Sequence, residues 1–144
     1  MTTAGQIVDA LGGDKALQGK VHTLEQLRLG IQRGLPFQAF EAVAAKYGLP
    51  KPALSRVLRM PERTLMRRKR GARFLADESD RLVRVARIAA LAEDVLGRRD
   101  RAGRWLQKAN RALGGATPLN HLDTELGARQ VEQILGRIGH GIIG

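Results

Sequence analysis

Apolar residues recur along this chain at intervals of three and four and almost nowhere alternate, a spacing that collects them on one face of a helix. Ala4, Ile7, Val8 and Leu11 form the first such stripe, which ends at Gly12-Gly13. Thr23-Leu24-Glu25-Gln26 reads as a capping box that starts a second helix through Leu27 and Ile31 to Gly34. A third is predicted over residues 36–47, with Phe37, Phe40, Val43 and Ala44 on one side and Gly48 at its end. Two short helices follow over 51–58 and 61–69, Pro61 being suited to a first helical turn. Asp77 is placed to cap a long helix over 77–96, with Leu82, Val85, Ala89, Ala92 and Leu96 as its apolar stripe. Asp100 is placed to cap a short helix bearing Trp105 and Leu106, and residues 110–118 form a loop around Gly114-Gly115. The last helix spans 125–138, with Ala128, Val131, Leu135 and Ile138 as its ridge. The expected fold class is all-α, with about eight helices and no internal repeat.

At 144 residues, 43% hydrophobic and 27% charged, the chain has enough apolar material to bury a modest core. It has no cysteine, so disulfides, thiolate zinc sites and cysteine nucleophiles are excluded. No apolar run reaches the roughly 18 residues of a membrane span, and the first residues do not resemble a secretory leader. A cytoplasmic address without membrane partners is the expectation.

The net charge of +11 is unevenly spread. Residues 1–50 and 74–144 are close to balanced, whereas 51–73 carries nine basic side chains against Glu62 alone. Within it, the stretch RTLMRRKRGAR has six cations in eleven residues. Elsewhere arginines have carboxylates four residues away: Asp77 before Arg81, Asp80 before Arg84, Glu125 before Arg129. Here Arg63 and Arg67 repel each other at that spacing, and no acid follows within the run. A phosphate backbone converts that repulsion into attraction.

Ser55, Arg59 and Leu65 fall where a helix-turn-helix places a small residue, a turn residue and a buried apolar residue, with 61–69 as the recognition helix. Arg63 and Arg67 are assigned to base edges, and Thr64, Arg68 and Lys69 to phosphates, with Arg70 adding to the field. Glycine usually occupies the position of Arg59 because the backbone there has positive φ, and Met60 brings no capping oxygen, so a distorted turn is expected. Single-stranded RNA fits less well, because only 3% of residues are aromatic.

Little points to catalysis. The terminal GHGIIG matches a dinucleotide-binding G-x-G-x-x-G, but a helix precedes it where a strand is needed. His22, His121 and His140 lack metal-ligand spacing, and neither a P-loop nor a nucleophile elbow is present. Neither a catalytic residue nor a cofactor or metal is expected.

The ordered set Trp105-Leu106, Asn110, Leu113-Gly114-Gly115, Thr117-Pro118-Leu119, Leu122, Thr124, Gly127-Ala128, Val131-Glu132, Leu135-Gly136-Arg137-Ile138 and Gly141 resembles the toxin-binding domain of Xre/MbcA/ParS-like antitoxins. Upstream, Gly34-Leu35-Pro36, Arg63-Thr64-Leu65 and Arg67-Arg68 resemble the Xre-like helix-turn-helix domain of the same family. The resemblance implies an antitoxin whose partner is a RES-domain, ADP-ribosyltransferase-like toxin that consumes NAD, and which represses its own operon on double-stranded operator DNA. It implies a toxin contact at Arg137, His140, Gly141, Ile142 and Ile143, with the glycine-flanked isoleucines entering a cleft, and, because operator recognition needs two half-sites, a homodimer that assembles further with toxin is expected. The expected organisation is a helical lead over 1–22, the helix-turn-helix domain over 23–74, the start of a connecting helix over 75–87 and the toxin-binding domain over 88–144. The competing readings are a stand-alone helix-turn-helix regulator and a structural adaptor whose basic run is incidental.

Overall fold

The computed structural model describes residues 2–141, and nine α-helices lie among them. They are α1 (Ala4–Ala10), α2 (Gly13–Leu17), α3 (Leu24–Arg33), α4 (Phe37–Tyr47), α5 (Lys51–Val57), α6 (Glu62–Gly71), α7 (Ala76–Leu96), α8 (Arg99–Leu106) and α9 (Glu125–Gly139). Two 3-10 turns, Arg111–Leu113 and Leu119–Asp123, link α8 to α9. No strand occurs among the described residues; the nearest approach is an isolated antiparallel bridge between Pro36 and Arg73.

The helix α7 is the spine. Its stripe Leu82, Val85, Ile88, Ala89 and Ala92 is inaccessible to solvent, and α1, α3, α8 and α9 all pack on it. One apolar cluster therefore runs from Ile7 through Phe40 and Leu54 to Leu135. Phe37, Phe40 and Phe74 form a triad inside it, with ring centroids 5.4 to 6.2 Å apart. Tyr47 is buried with its hydroxyl donating to Glu93 at 2.8 Å, and burial, reinforced by that carboxylate, pushes its phenol far above the usual range.

Several helix boundaries follow the pattern read from sequence, the stop before Gly12-Gly13 among them; two starts differ, and one short helix was not foreseen. The Thr23–Gln26 capping box is present, with the Gln26 N–H donating to Thr23 Oγ1 at 3.0 Å and the Thr23 N–H to Gln26 Oε1. The predicted stop at Gly12-Gly13 is a turn from which α2 begins at once, burying Ala16 and Leu17. The helix α7 starts at Ala76 rather than at an Asp77 cap, because Glu78 reaches back to accept the Leu75 N–H at 2.8 Å. Asp100 lies inside the first turn of α8, which is entered from Arg98.

Close backbone contacts fix how the elements meet. At Gly34, where φ is +90°, a Cβ would stand 2.0 Å from the Phe74 carbonyl oxygen. The Phe74 N–H donates to the Leu35 carbonyl and the Phe37 N–H to that of Ala72, which closes α3 to α6 into a unit. In α8, a Cβ at Gly103 would stand 1.8 Å from the Tyr47 carbonyl oxygen, and one at Gly127 in α9 would stand 1.9 Å from that of His121.

Candidate nucleic-acid and toxin interfaces

The turn between α5 and α6 is regular despite its residues. The Met60 N–H donates to the Ser55 carbonyl at 2.9 Å and the Arg59 N–H to that of Arg56 at 3.0 Å, the paired bonds of a Schellman motif. Arg59 supplies the left-handed residue at φ +56°, where glycine is usual. The missing capping oxygen at Met60 is immaterial, since Met60 is buried as the apolar residue that closes the motif. The distortion expected from sequence does not occur. On the other side, Arg81 Nε donates to the Leu58 carbonyl at 2.8 Å and ties α7 to the end of α5.

The helix α6 stands out from the core. None of its side chains is fully buried, Leu65 is half-buried against the core and Met66 is 45% exposed. Between α5 and α6 lies an open groove of about 700 Å3, floored by Pro52, Met60, Leu65 and Met66 and rimmed by Arg56 and Arg59.

What anchors α6 is a fork the sequence reading missed. Arg68 Nε and Nη2 donate to the two oxygens of Glu78 at 2.7 and 3.0 Å, and the side chains are only 15% and 6% exposed. Burial pushes the Glu78 carboxyl up, but the hydrogen bonds from Arg68 and Leu75 and the Arg68 charge outweigh it, leaving the group below its ordinary value. The same bond holds the guanidinium of Arg68 charged. The expectation that the whole run lacks carboxylate partners is thereby corrected: Arg68 is held by an acid ten residues away, and its fork is occupied inside the fold. Arg73 is likewise engaged, donating to the Gly34 carbonyl at 2.8 Å. A pair that closes across the α6–α7 corner has no signature at the three- and four-residue spacing of a helix face.

The remaining predicted DNA residues sit on α6. Arg63, Arg67, Lys69 and Arg70 are exposed and have no ion-pair partner among the described residues, while Thr64 is half-buried. The spacing of Arg63, Arg67 and Arg70 places them along one ridge, whereas Lys69 falls on the flank. Arg56 and Arg59 extend the uncompensated charge onto α5 and the turn.

The distal half is tied to α7 by arginines. Arg87 forks onto Glu125 at 3.1 Å and also contacts Glu132, while Arg84 approaches Glu125 at 3.5 Å and the Leu122 carbonyl at 3.4 Å. Arg84 thus crosses to α9 instead of pairing with Asp80, as its spacing had implied; Arg81–Asp77 and Arg129–Glu125 do form, at 3.5 and 3.7 Å. Thr124 caps α9, accepting the Gly127 N–H at 3.0 Å. At its far end Arg137 is half-buried and His140 and Gly141 are exposed; Ile142 and Ile143 lie outside the described residues. Gly114 and Gly115 take positive φ, +69° and +93°, in the loop that Asn110 closes. Among the described residues no three His, Asp or Glu side chains gather as a metal site, and no helix is long and apolar enough to cross a membrane.

The fold and these surfaces define a helix-turn-helix protein whose long α7 carries a second helical module. Residues 26–87 match the antitoxin Xre-like helix-turn-helix domain, and residues 91–141 match the antitoxin Xre/MbcA/ParS C-terminal toxin-binding domain. The chain belongs to the Xre antitoxin family. Among its relatives is an Antitoxin Xre of Photorhabdus laumondii, 36% identical over 115 residues that cover 78% of either chain. Another, from Pseudomonas putida, is 45% identical over 83 residues, 57% of this chain and 52% of the relative. A third, from Yersinia enterocolitica, is 31% identical over 114 residues, 78% of this chain and 77% of the relative. These relatives are named as antitoxins and not as enzymes.

Proposed function

We propose that this antitoxin binds and blocks a RES-domain, NAD-consuming toxin and represses the operon that encodes both by binding operator DNA. The observation that carries the reading is the pairing of two surfaces on one spine: an uncompensated basic ridge on α6 and a toxin-binding domain beyond α7. In this reading Arg63, Arg67 and Arg70 enter the major groove, while Thr64 and Lys69 meet phosphates. Arg68 aims α6 from behind, since Glu78 occupies its fork. Arg137, His140 and Gly141, continued by Ile142 and Ile143, cover the toxin's active site. One helix-turn-helix reads one half-site, so the DNA-bound form is a homodimer, completed by toxin into a larger assembly in the bacterial cytoplasm.

The test is to co-express the tagged chain with the adjacent reading frame. The untagged product should elute in fixed proportion, its NAD-consuming activity should return on removal of the antitoxin, and the complex should shift a duplex from upstream of the operon. A shift without a protein partner would instead mark a stand-alone regulator, and neither result would leave a structural adaptor.

A further inference from the structure

The toxin-binding match covers residues 91–141, and what that segment exposes is mostly polar. Among its described residues Leu126 is the one large apolar side chain left in solvent, at 76% exposure. It occupies the first turn of α9, directly before the buried pair Gly127 and Ala128 that seats the helix. Its side chain is not part of the apolar core formed by the described residues.

Its surroundings form a pattern. At 3.6 residues per turn, Leu126, Arg129, Gln130, Gln133, Arg137 and His140 share a sector of about 100° around α9. The opposite side, from Gly127 through Val131 and Ile134 to Leu135, is buried. No carboxylate lies in the outward sector. Glu125 and Glu132 sit on the flank, where Arg87 binds both; Glu125 also touches Arg129, at 3.7 Å. Beside Leu126 an open groove of about 630 Å3 runs between α9 and the 3-10 turn, with Asn120, Gln130 and Gln133 offering amides along it.

We infer that the outward face of α9, with Leu126 as its apolar anchor, is the surface on which the toxin docks. The inference rests on the antitoxin reading and deepens it, extending the contact from the Arg137–Gly141 end along about 21 Å of helix. The partner surface it fits has an apolar pocket for Leu126 and carboxylates or carbonyls opposite Arg129 and Arg137. Covering Leu126 would remove its apolar surface from water, a gain that no other large side chain exposed among the described residues of this segment offers. The amides of Gln130 and Gln133 serve orientation, being neutral donors and acceptors on either side of that anchor.

The experiment is a titration of the purified product of the adjacent reading frame with the full chain, two α9 variants and one control variant. Leu126→Asp suits the fold, because an acid in the first turn of α9 is favoured by the helix dipole. It should weaken the complex at least 100-fold, Gln133→Glu at least 10-fold, and the control Leu24→Asp, on the exposed start of α3, by less than threefold. Amide exchange should slow over 126–140 on complex formation, a readout that needs no variant. Tight binding by the wild type with both α9 variants within threefold, or protection confined to other helices, would overturn the docking face and leave the antitoxin reading standing. Absence of any wild-type complex would remove both.

Discussion

Arg59 holds a backbone conformation that costs a non-glycine residue roughly 1 kcal/mol, in a turn whose hydrogen bonds are otherwise regular. Arg59→Gly should therefore stabilise the protein by up to about 1 kcal/mol in urea unfolding, while removing one exposed positive charge beside α6. Gly103→Ala should act in the opposite sense: its Cβ would fall 1.8 Å from the Tyr47 carbonyl oxygen, a clash with backbone that only a shift of α8 against α4 would relieve. A loss of about 3 kcal/mol is expected in the same assay. The Arg68–Glu78 fork gives a pH signature. The Glu78 carboxyl is held below its unfolded value, so its contribution is present above that value and is lost as pH falls through the folded one. Glu78→Gln should cost on the order of 2 kcal/mol near neutrality and flatten the acid limb of the stability profile, which thermal melts across pH 2 to 6 would resolve roughly. An unchanged acid limb would mean that the fork does not hold α6 in solution.

At the scale of elements, α6 is the helix to test first, because it is bound to the rest by one half-buried leucine and one ion pair. Arg63→Glu with Arg67→Glu should abolish the operator shift and leave toxin binding intact. The logarithm of wild-type affinity should fall with the logarithm of salt at a slope of roughly −4 to −5 per chain, about −0.9 for each phosphate neutralised. Most helices were legible in the sequence because their apolar spacing and caps are local properties; Thr23–Gln26 and the stripe of α7 are examples. The helix α2 was not, since five residues between Gly12 and Gln18 are too few to establish a period. The turn was misjudged for a different reason: residue preference argued against Arg59 and Met60, and burial of Met60 with two backbone bonds overrode it. The basic ridge could be read from charge alone. Which arginine belonged to the fold could not, because Arg68 and Glu78 meet only once α6 and α7 have turned their corner. Leu126 escaped notice as well: it lies off the apolar ridge of α9, and a lone leucine outside the stripe carries no signal in the sequence.

Across the whole molecule, both family-matched segments draw on the same buried spine. The stripe of α7 touches α1 and α3 on the helix-turn-helix side and α8 and α9 on the other. The two halves should therefore melt together. Fluorescence of Trp105, the sole tryptophan, and far-ultraviolet circular dichroism should give coincident urea transitions, although Trp105 reports from the distal half. Separate transitions would show that α7 does not transmit stability between them. The sparse attachment of α6 has a consequence for how such a protein changes through descent. A helix that contributes no fully buried side chain can exchange its outward residues without disturbing the packing of the molecule. Alteration at Arg63, Arg67 and Arg70 is thus open to drift and selection at little cost to folding, whereas Arg68 and Glu78 are constrained to change together. Under the proposed function, lineages that share this scaffold can diverge in the DNA they recognise while the toxin-binding half stays unchanged.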